Sequence, residues 1–502
     1  MTQAAAKADV IVVGAGTAGC VLTRRLIDAG LRVLLLEAGP EGEFAAVSDP
    51  SRMHELWDSD LDWGYRTVPQ REAHHRRLQL PRGRLVGGSH AFNAMIWVRG
   101  NPIDYDTWAY LGNPGWSWQD VEPVFDRLEN RDGAGEGLLD LITKYPPDEI
   151  HEAIVTAAVA AGVPFNDDYN GPVQDGVSFM QFTIRNGLRL MTADAHLRPV
   201  RASQLLQVQD RCLVHSVILD GDRCVGVRYQ RAGQLLQASA GQVVLSAGAL
   251  GSPAILERSG IGDPAVLAAA GVPERVRLPG VGANLQDHWL VPVLFSTVRQ
   301  PPNPVGLPPN QSHLFWRSRP GLPVPDLQPI HFGRPLPTDW MIGPAQGFSL
   351  MAGLVRPGSR GSSHIASADP AQPPTIDPRV LSAPEDITAL AAAIRLCQEI
   401  GRQQPLTTEW GAEEIYPASL AASEELIGDY IRETVVTYHH QAGTCAMGNP
   451  TTSVVDSRLA VHGVAGLRVA DASVMPLITT GNTNAPTAMI AERAADFILA
   501  SS

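Results

Sequence analysis

The chain has 502 residues, 44% of them hydrophobic and 18% charged, which excludes disorder and is enough for two or more domains around sizeable cores. A net charge of -13, with no long Lys/Arg block, excludes nucleic acid and anionic membrane as partners, because phosphates would be repelled. Five scattered cysteines (Cys20, Cys212, Cys224, Cys397, Cys445) contain no CxxC pair, so neither a metal knot nor a disulfide framework is expected.

Residues 1–8 carry no basic segment followed by an apolar stretch, and no apolar run approaches the roughly 18 residues that span a bilayer. The expectation is a cytoplasmic protein without a membrane span. Residues 9–13 (DVIVV) read as a buried parallel strand, 20–30 as a helix ending at Gly30, and 32–36 (RVLLL) as a second buried strand. Between strand and helix lies Gly14-x-Gly16-x-x-Gly19. Glycines there permit a tight turn and let the backbone approach a pyrophosphate at the positive end of the helix. Glu37 closes the second strand, where a carboxylate can accept both ribose hydroxyls. This βαβ unit points to a dinucleotide.

Farther along, a helix-rich stretch with several tryptophans is expected at about 50–130, and an amphipathic helix at 151–162. A meander of short strands follows at 212–246. Prolines crowd 299–385, which reads as loop-rich structure laid over a sheet. A long helix is expected at 385–403, and the tail reads as strand, turn and closing helix.

The remaining motifs decide which dinucleotide. Gly83-Arg84-Leu85-Val86-Gly87-Gly88-Ser89 with Asn93-Ala94-Met95, then residues 248–262 (GALGSPAILERSGIG), 279–288 (PGVGANLQDH), 440–448 (HQAGTCAMG) and 469–487 follow one another in order. Together they resemble the glucose–methanol–choline oxidoreductase family from residue 9 to 498. The resemblance implies an α/β (overall α+β) protein with a Rossmann-like FAD-binding domain of discontinuous segments (1–144, 188–290, 438–502). A substrate domain with an antiparallel sheet and helices would take 145–187 and 291–437. To FAD it assigns Gly14, Gly16, Thr17, Ala18, Gly19, Glu37 and Ala38 from the first unit and Arg84, Val86, Gly87, Gly88, Asn93, Ala94, Met95 and Val98 from the second segment. Val214 joins from the meander, and Asp471, Ala472, Asn482 and Thr483 from the tail. Members with covalent FAD place a histidine where this chain has Phe92, so dissociable FAD is expected; a link through His90 is the alternative.

By the same resemblance the catalytic residues are His440, three residues before Gly443-Thr444, and Asn482. A histidine, with an ordinary pKa of about 6.5, suits removal of an alcohol proton, and Asn482 could hydrogen-bond the oxygen as it becomes alkoxide-like. Tyr438, His439, Phe315, Trp316, Trp340 and Phe348 are expected to line the substrate pocket. Cys445 and most tryptophans read as packed interior. The implied activity is oxidation of a primary alcohol to an aldehyde, with electrons passing to O2 or another acceptor. The substrate is expected to be uncharged, with aryl or heteroaryl methanols favoured, since residues 276–383 contain no glutamate and only Asp339 among their acids could reach a ligand. A hydroxynitrile lyase, a choline-type dehydrogenase and, more remotely, a nicotinamide dehydrogenase are the alternatives.

Overall fold

A computed structural model of the chain describes residues 8–301, 305–338 and 340–500. Asp339 therefore lies outside the described residues. Two large sheets organise the molecule. In the first, strands 206–209, 33–36, 8–13, 234–245, 223–231 and 212–220 lie side by side, with 467–469 also on 234–245. The β-branched run Val10–Val13 pairs in parallel with Val33–Leu36 on one side and Gln242–Leu245 on the other. Covered on both faces, those strands are buried almost throughout. The meander expected at 212–246 is present as three antiparallel strands.

Helices cover this sheet. Thr17–Asp28 follows the first strand, and Asn484–Leu499 packs beside it, tied by Arg25 to Asp496 at 2.9 Å and to Glu492. The turn between strand and helix closes only because of its glycines. A Cβ on Gly14 would fall 2.4 Å from the Ser246 carbonyl oxygen, and one on Gly19 would fall 1.8 Å from that of Gly14.

The second sheet is antiparallel, in the order 413–416, 289–296, 347–354, 330–332, 312–315 and 176–179, with 436–437 also on 289–296. Alternation along its strands divides its residues between two surroundings. Val291, Phe348, Leu350 and Ala352 pack against the helices Glu149–Ala160, Pro384–Gly401 and Glu424–Thr434. Leu290, Ile330, Phe332 and Met351 face the other way. The helices expected at 151–162 and 385–403 are thus the ones that back the substrate sheet.

The stretch 50–130 departs from the sequence reading. Its regular helices are Pro102–Tyr110 and Trp118–Leu128, while 57–101 consists of turns, two short strands and single helical turns. Trp97, Trp108 and Trp116 are fully buried, as expected of core tryptophans, whereas Trp57 and Trp63 border a cavity. Polarity accounts for the difference, because 57–83 carries too many arginines and aspartates for an apolar helical face and instead walls a cleft. No helix among the described residues is long and apolar enough to cross a membrane.

Candidate active site

A cavity of about 790 Å³ runs from the first glycine turn to the inner face of the second sheet. At one end Gly14, Gly16, Thr17, Ala18, Glu37, Ala38 and Val214 line it. Gly16 starts the helix without a side-chain cap, leaving the first backbone N–H groups for an anion. Glu37 accepts from the N–H groups of Ala15 and Gly39, both at 2.8 Å, and burial pushes its carboxyl up to about 7. Gly88 closes the cradle. Its φ is +53°, and a Cβ there would fall 2.7 Å from the Gly16 Cα, so only glycine lets the two loops meet. A glycine cradle, an uncapped helix start and a buried acid form a donor set that fits the adenosine and pyrophosphate of a dinucleotide.

Asn93, Ala94, Ala472 and Thr483 continue the lining toward the second sheet. Asp471 borders it as well, but its carboxylate is engaged with Gly248 N (2.9 Å), Ser252 Oγ (2.6 Å) and Ser473 N (2.8 Å), which anchors the tail to the helix Gly248–Arg258. Other expected cofactor residues lie behind the lining. Gly19 and Gly87 shape the turn, the latter through a 2.8 Å bond from its N–H to the Ala15 carbonyl. Arg84 donates to the Asp60 carbonyl at 2.8 Å and lies over Trp63. Val86 packs against the core, Met95 is buried at φ +59°, and buried Val98 is the side chain that a Cβ on Gly481 would strike at 2.7 Å.

His440 and Asn482 meet at the other end. The two come from segments 42 residues apart, yet Asn482 Nδ2 lies 3.1 Å from His440 Nε2, and both border the cavity. Asn482 Oδ1 accepts from Gln328 Nε2 at 3.0 Å, which turns its NH2 toward the imidazole. His440 Nε2 is therefore the unprotonated nitrogen, and Nδ1 donates to His288 Nδ1 at 2.9 Å. Asp287 fixes the backbone, accepting from the N–H of His440 at 2.8 Å and of His288 at 2.9 Å and from the side chains of Thr437 and Gln441. Tyr438 stacks on the His440 ring with centroids 4.7 Å apart. Burial, then His288, Arg82 and His439, hold the His440 pKa well below the ordinary value, so the imidazole is neutral at physiological pH.

His439 turns elsewhere. Its φ is +66°, its carbonyl accepts from Arg82, and its ring meets the edge of Trp57 at 5.0 Å. Tyr438 and His439 line the cavity, but four other expected pocket residues do not. Phe348 is on the opposite face of its strand, stacked on Phe295 at 4.9 Å in the helix-backed core. Trp316 packs against that same core. Phe315 is fully buried beneath Gly481. Trp340 is half exposed and meets Tyr416 at 5.6 Å. Aromaticity suggested these four, whereas strand alternation selects the neighbours Leu290, Ile330, Phe332 and Met351, which do line the cavity together with Met53. Sequence reasoning also missed His288, although it closes the segment 279–288. Gln328 carried no recognisable signal.

Two family models described as GMC oxidoreductase match residues 8–290 and 357–491. Mitochondrial choline dehydrogenase of Mus musculus is 37% identical over 97% of this chain and 89% of its own length. Alcohol dehydrogenase [acceptor] of Pseudomonas putida is 35% identical over 98% of this chain and 95% of its own. The crystal structure of pyridoxine 4-oxidase from Mesorbium loti superposes with a TM-score of 0.93 at 32% identity, covering 98% of this chain and 99% of that one. With the glycine cradle and the His–Asn pair at the two ends of one cavity, these matches place the chain in the GMC oxidoreductase family, as a FAD-dependent enzyme acting on the CH–OH group of alcohols.

Proposed function

We propose that the protein oxidises an uncharged primary alcohol to its aldehyde, with His440 as base and Asn482 as donor to the substrate oxygen. The observation that carries this reading is the 3.1 Å pairing of a neutral His440 Nε2 with the Asn482 amide at the cavity wall. An alcohol oxygen that reaches both groups replaces their mutual contact, accepts from Nδ2 and gives its proton to Nε2. When bound, FAD supplies the acceptor for the carbinol hydride and passes two electrons on to O2 or another acceptor. Proton and hydride together account for the aldehyde. The chain's own contribution is to hold the proton acceptor, orient the oxygen and keep the chamber dry.

The chamber supports an uncharged substrate. Met53, Leu290, Ile330, Phe332 and Met351 offer apolar surface suited to an aryl or heteroaryl group. Among the described residues the lining carboxylates are Glu37 and Asp471, both committed to backbone N–H groups at the cofactor end. A buried trimethylammonium would lack a compensating charge. The relative named for choline makes choline the natural competitor, and the relative named for pyridoxine favours a ring alcohol. Benzyl alcohol should reduce the flavin with at least tenfold higher kcat/KM than choline. Choline as the better substrate would overturn the neutral chamber. Peroxide release scored beside dye reduction on the same preparation separates O2 from other acceptors. A lyase reading is also compatible with the His–Asn pair, but the relatives are named as dehydrogenases and oxidases.

We also infer that FAD is held without a covalent bond. Phe92 borders the cavity and cannot bond a flavin methyl, while His90 is engaged with Thr183 Oγ1 (3.2 Å) and the Thr192 N–H (3.2 Å). Acid precipitation should therefore leave the yellow colour in the supernatant. Colour retained in a washed pellet would reverse this and point to His90. Five buried free thiols suit a reducing cytoplasm, where we place the protein.

A further inference from the structure

Asn482 serves the reaction only if its amide is turned the right way. The two ends of an amide are nearly isosteric, yet one donates and the other accepts. With the carbonyl toward His440, Nε2 would have to carry the proton and would cease to be a base. The backbone two residues before Asn482 is held in place. Asp104 accepts from Thr480 N at 2.6 Å and Thr480 Oγ1 at 3.0 Å, and Gln174 donates to the Thr480 carbonyl at 3.1 Å.

What selects the orientation lies behind Asn482. Gln328 is fully buried and, among the described residues, is not part of the cavity lining. Its Nε2 lies 3.0 Å from Asn482 Oδ1 and 3.1 Å from His313 Nδ1. An amide nitrogen has two protons and nothing to accept with, so both neighbours must be acceptors. His313, fully buried between Tyr169 and Phe315, meets that condition as a neutral ring with its proton on Nε2, an atom that has no partner of its own among the described residues. Gln328 Oε1 is left without a partner, a cost the fold bears while both protons are spent on this line. With the two amides placed this way, the donors run in one direction, from Gln328 to Asn482 to His440 to His288.

We propose that Gln328 is a positioning residue for the reaction: it holds the Asn482 NH2 toward His440 and so keeps His440 Nε2 a proton acceptor. The inference rests on the reading of His440 and Asn482 given above. Its test is a double-mutant cycle on the holoenzyme, followed by stopped-flow flavin reduction with saturating benzyl alcohol. Asn482→Ala should lower the rate by about 10²-fold or more, as expected for loss of one donor to a developing oxyanion. Gln328→Met should lower it by roughly tenfold or more. In the Asn482→Ala background, Gln328→Met should change it by less than about twofold, because the two act through one group. Multiplicative losses would overturn the proposal. An Asn482→Ala rate equal to wild type would instead remove the underlying reading of the pair.

Gln328→Glu supplies the second readout. An ionised carboxylate only accepts, so it should pull the Asn482 NH2 away from His440; a protonated one can still donate to Oδ1. Relative to wild type, reduction by Gln328→Glu should fall as pH rises from 6 to 10 and recover toward low pH, while Gln328→Met shows no such slope. Side-chain packing alone would not create that profile. A ratio to wild type that stays flat over this range would sink the proposal even if Gln328→Met fails to fold.

Discussion

His440→Ala is expected to slow flavin reduction by alcohol about 10²–10⁴-fold, the usual contribution of a positioned general base. FAD content should stay near wild type, since the cradle at Gly14, Gly16, Glu37 and Gly88 lies at the other end of the cavity. The neighbouring His439→Ala is the control, and it should cost far less. Two adjacent histidines invite confusion, but their surroundings differ. His440 has Asn482 on one nitrogen and His288 on the other, while His439 leans on Trp57 and leaves Nδ1 without a partner. Single-turnover reduction under anaerobic conditions isolates the step. If His439→Ala proves the slower variant, the base has been placed one residue too late. Because burial holds the His440 pKa well below 6.5, the wild-type reduction rate should show no acid limb at the ordinary histidine pKa.

How much of this was legible beforehand depends on the kind of residue. The βαβ unit was readable because its signals are local: an apolar run, glycines at fixed offsets and an acid at a strand end. The His–Asn pair could be named from its motifs, but its geometry comes from two loops 42 residues apart that only the folded tail brings together. Aromatic residues misled. Phe348 looked like a pocket residue, yet its neighbours in register, Leu350 and Ala352, face the helices with it, and Met351 faces the cavity. Side-chain chemistry carried no facing information there; sheet register did. Gln328 was invisible for a different reason. Nothing about a glutamine beside Pro329 announces that both its protons are spent on Asn482 and His313. The expectation of a histidine titrating near 6.5 also missed the effect of complete burial, which applies well beyond the active site.

Acid lability should be the second large effect. His90, His288, His313 and His439 are pushed down to about 3 and His151 and His196 to about 4, with burial the leading cause, and His331 and His440 also lie well below the ordinary value. All eight are neutral in the fold and gain a proton near 6.5 when the chain unfolds. Their contribution to stability is thus fully present above pH 6.5 and is lost progressively as pH falls toward the folded values. At pH 5.5 each such group costs about 1.2 kcal/mol relative to pH 7. Glu37 and Asp287 act in the opposite sense: burial raises them to about 7 and about 6, so protonation in the fold returns stability over the same interval. Asp148, Asp386, Asp471 and Glu492 are raised by burial as well and offset the loss further at lower pH, but the depressed histidines outnumber these carboxyls and dominate just below neutrality. The thermal midpoint of the holoenzyme should therefore be nearly flat from pH 8.5 to 7, drop steeply below 6.5, and be accompanied by FAD release near pH 5.5. A midpoint that holds steady down to pH 5 would mean that these histidines are hydrated or paired in solution in ways that keep their ordinary pKa.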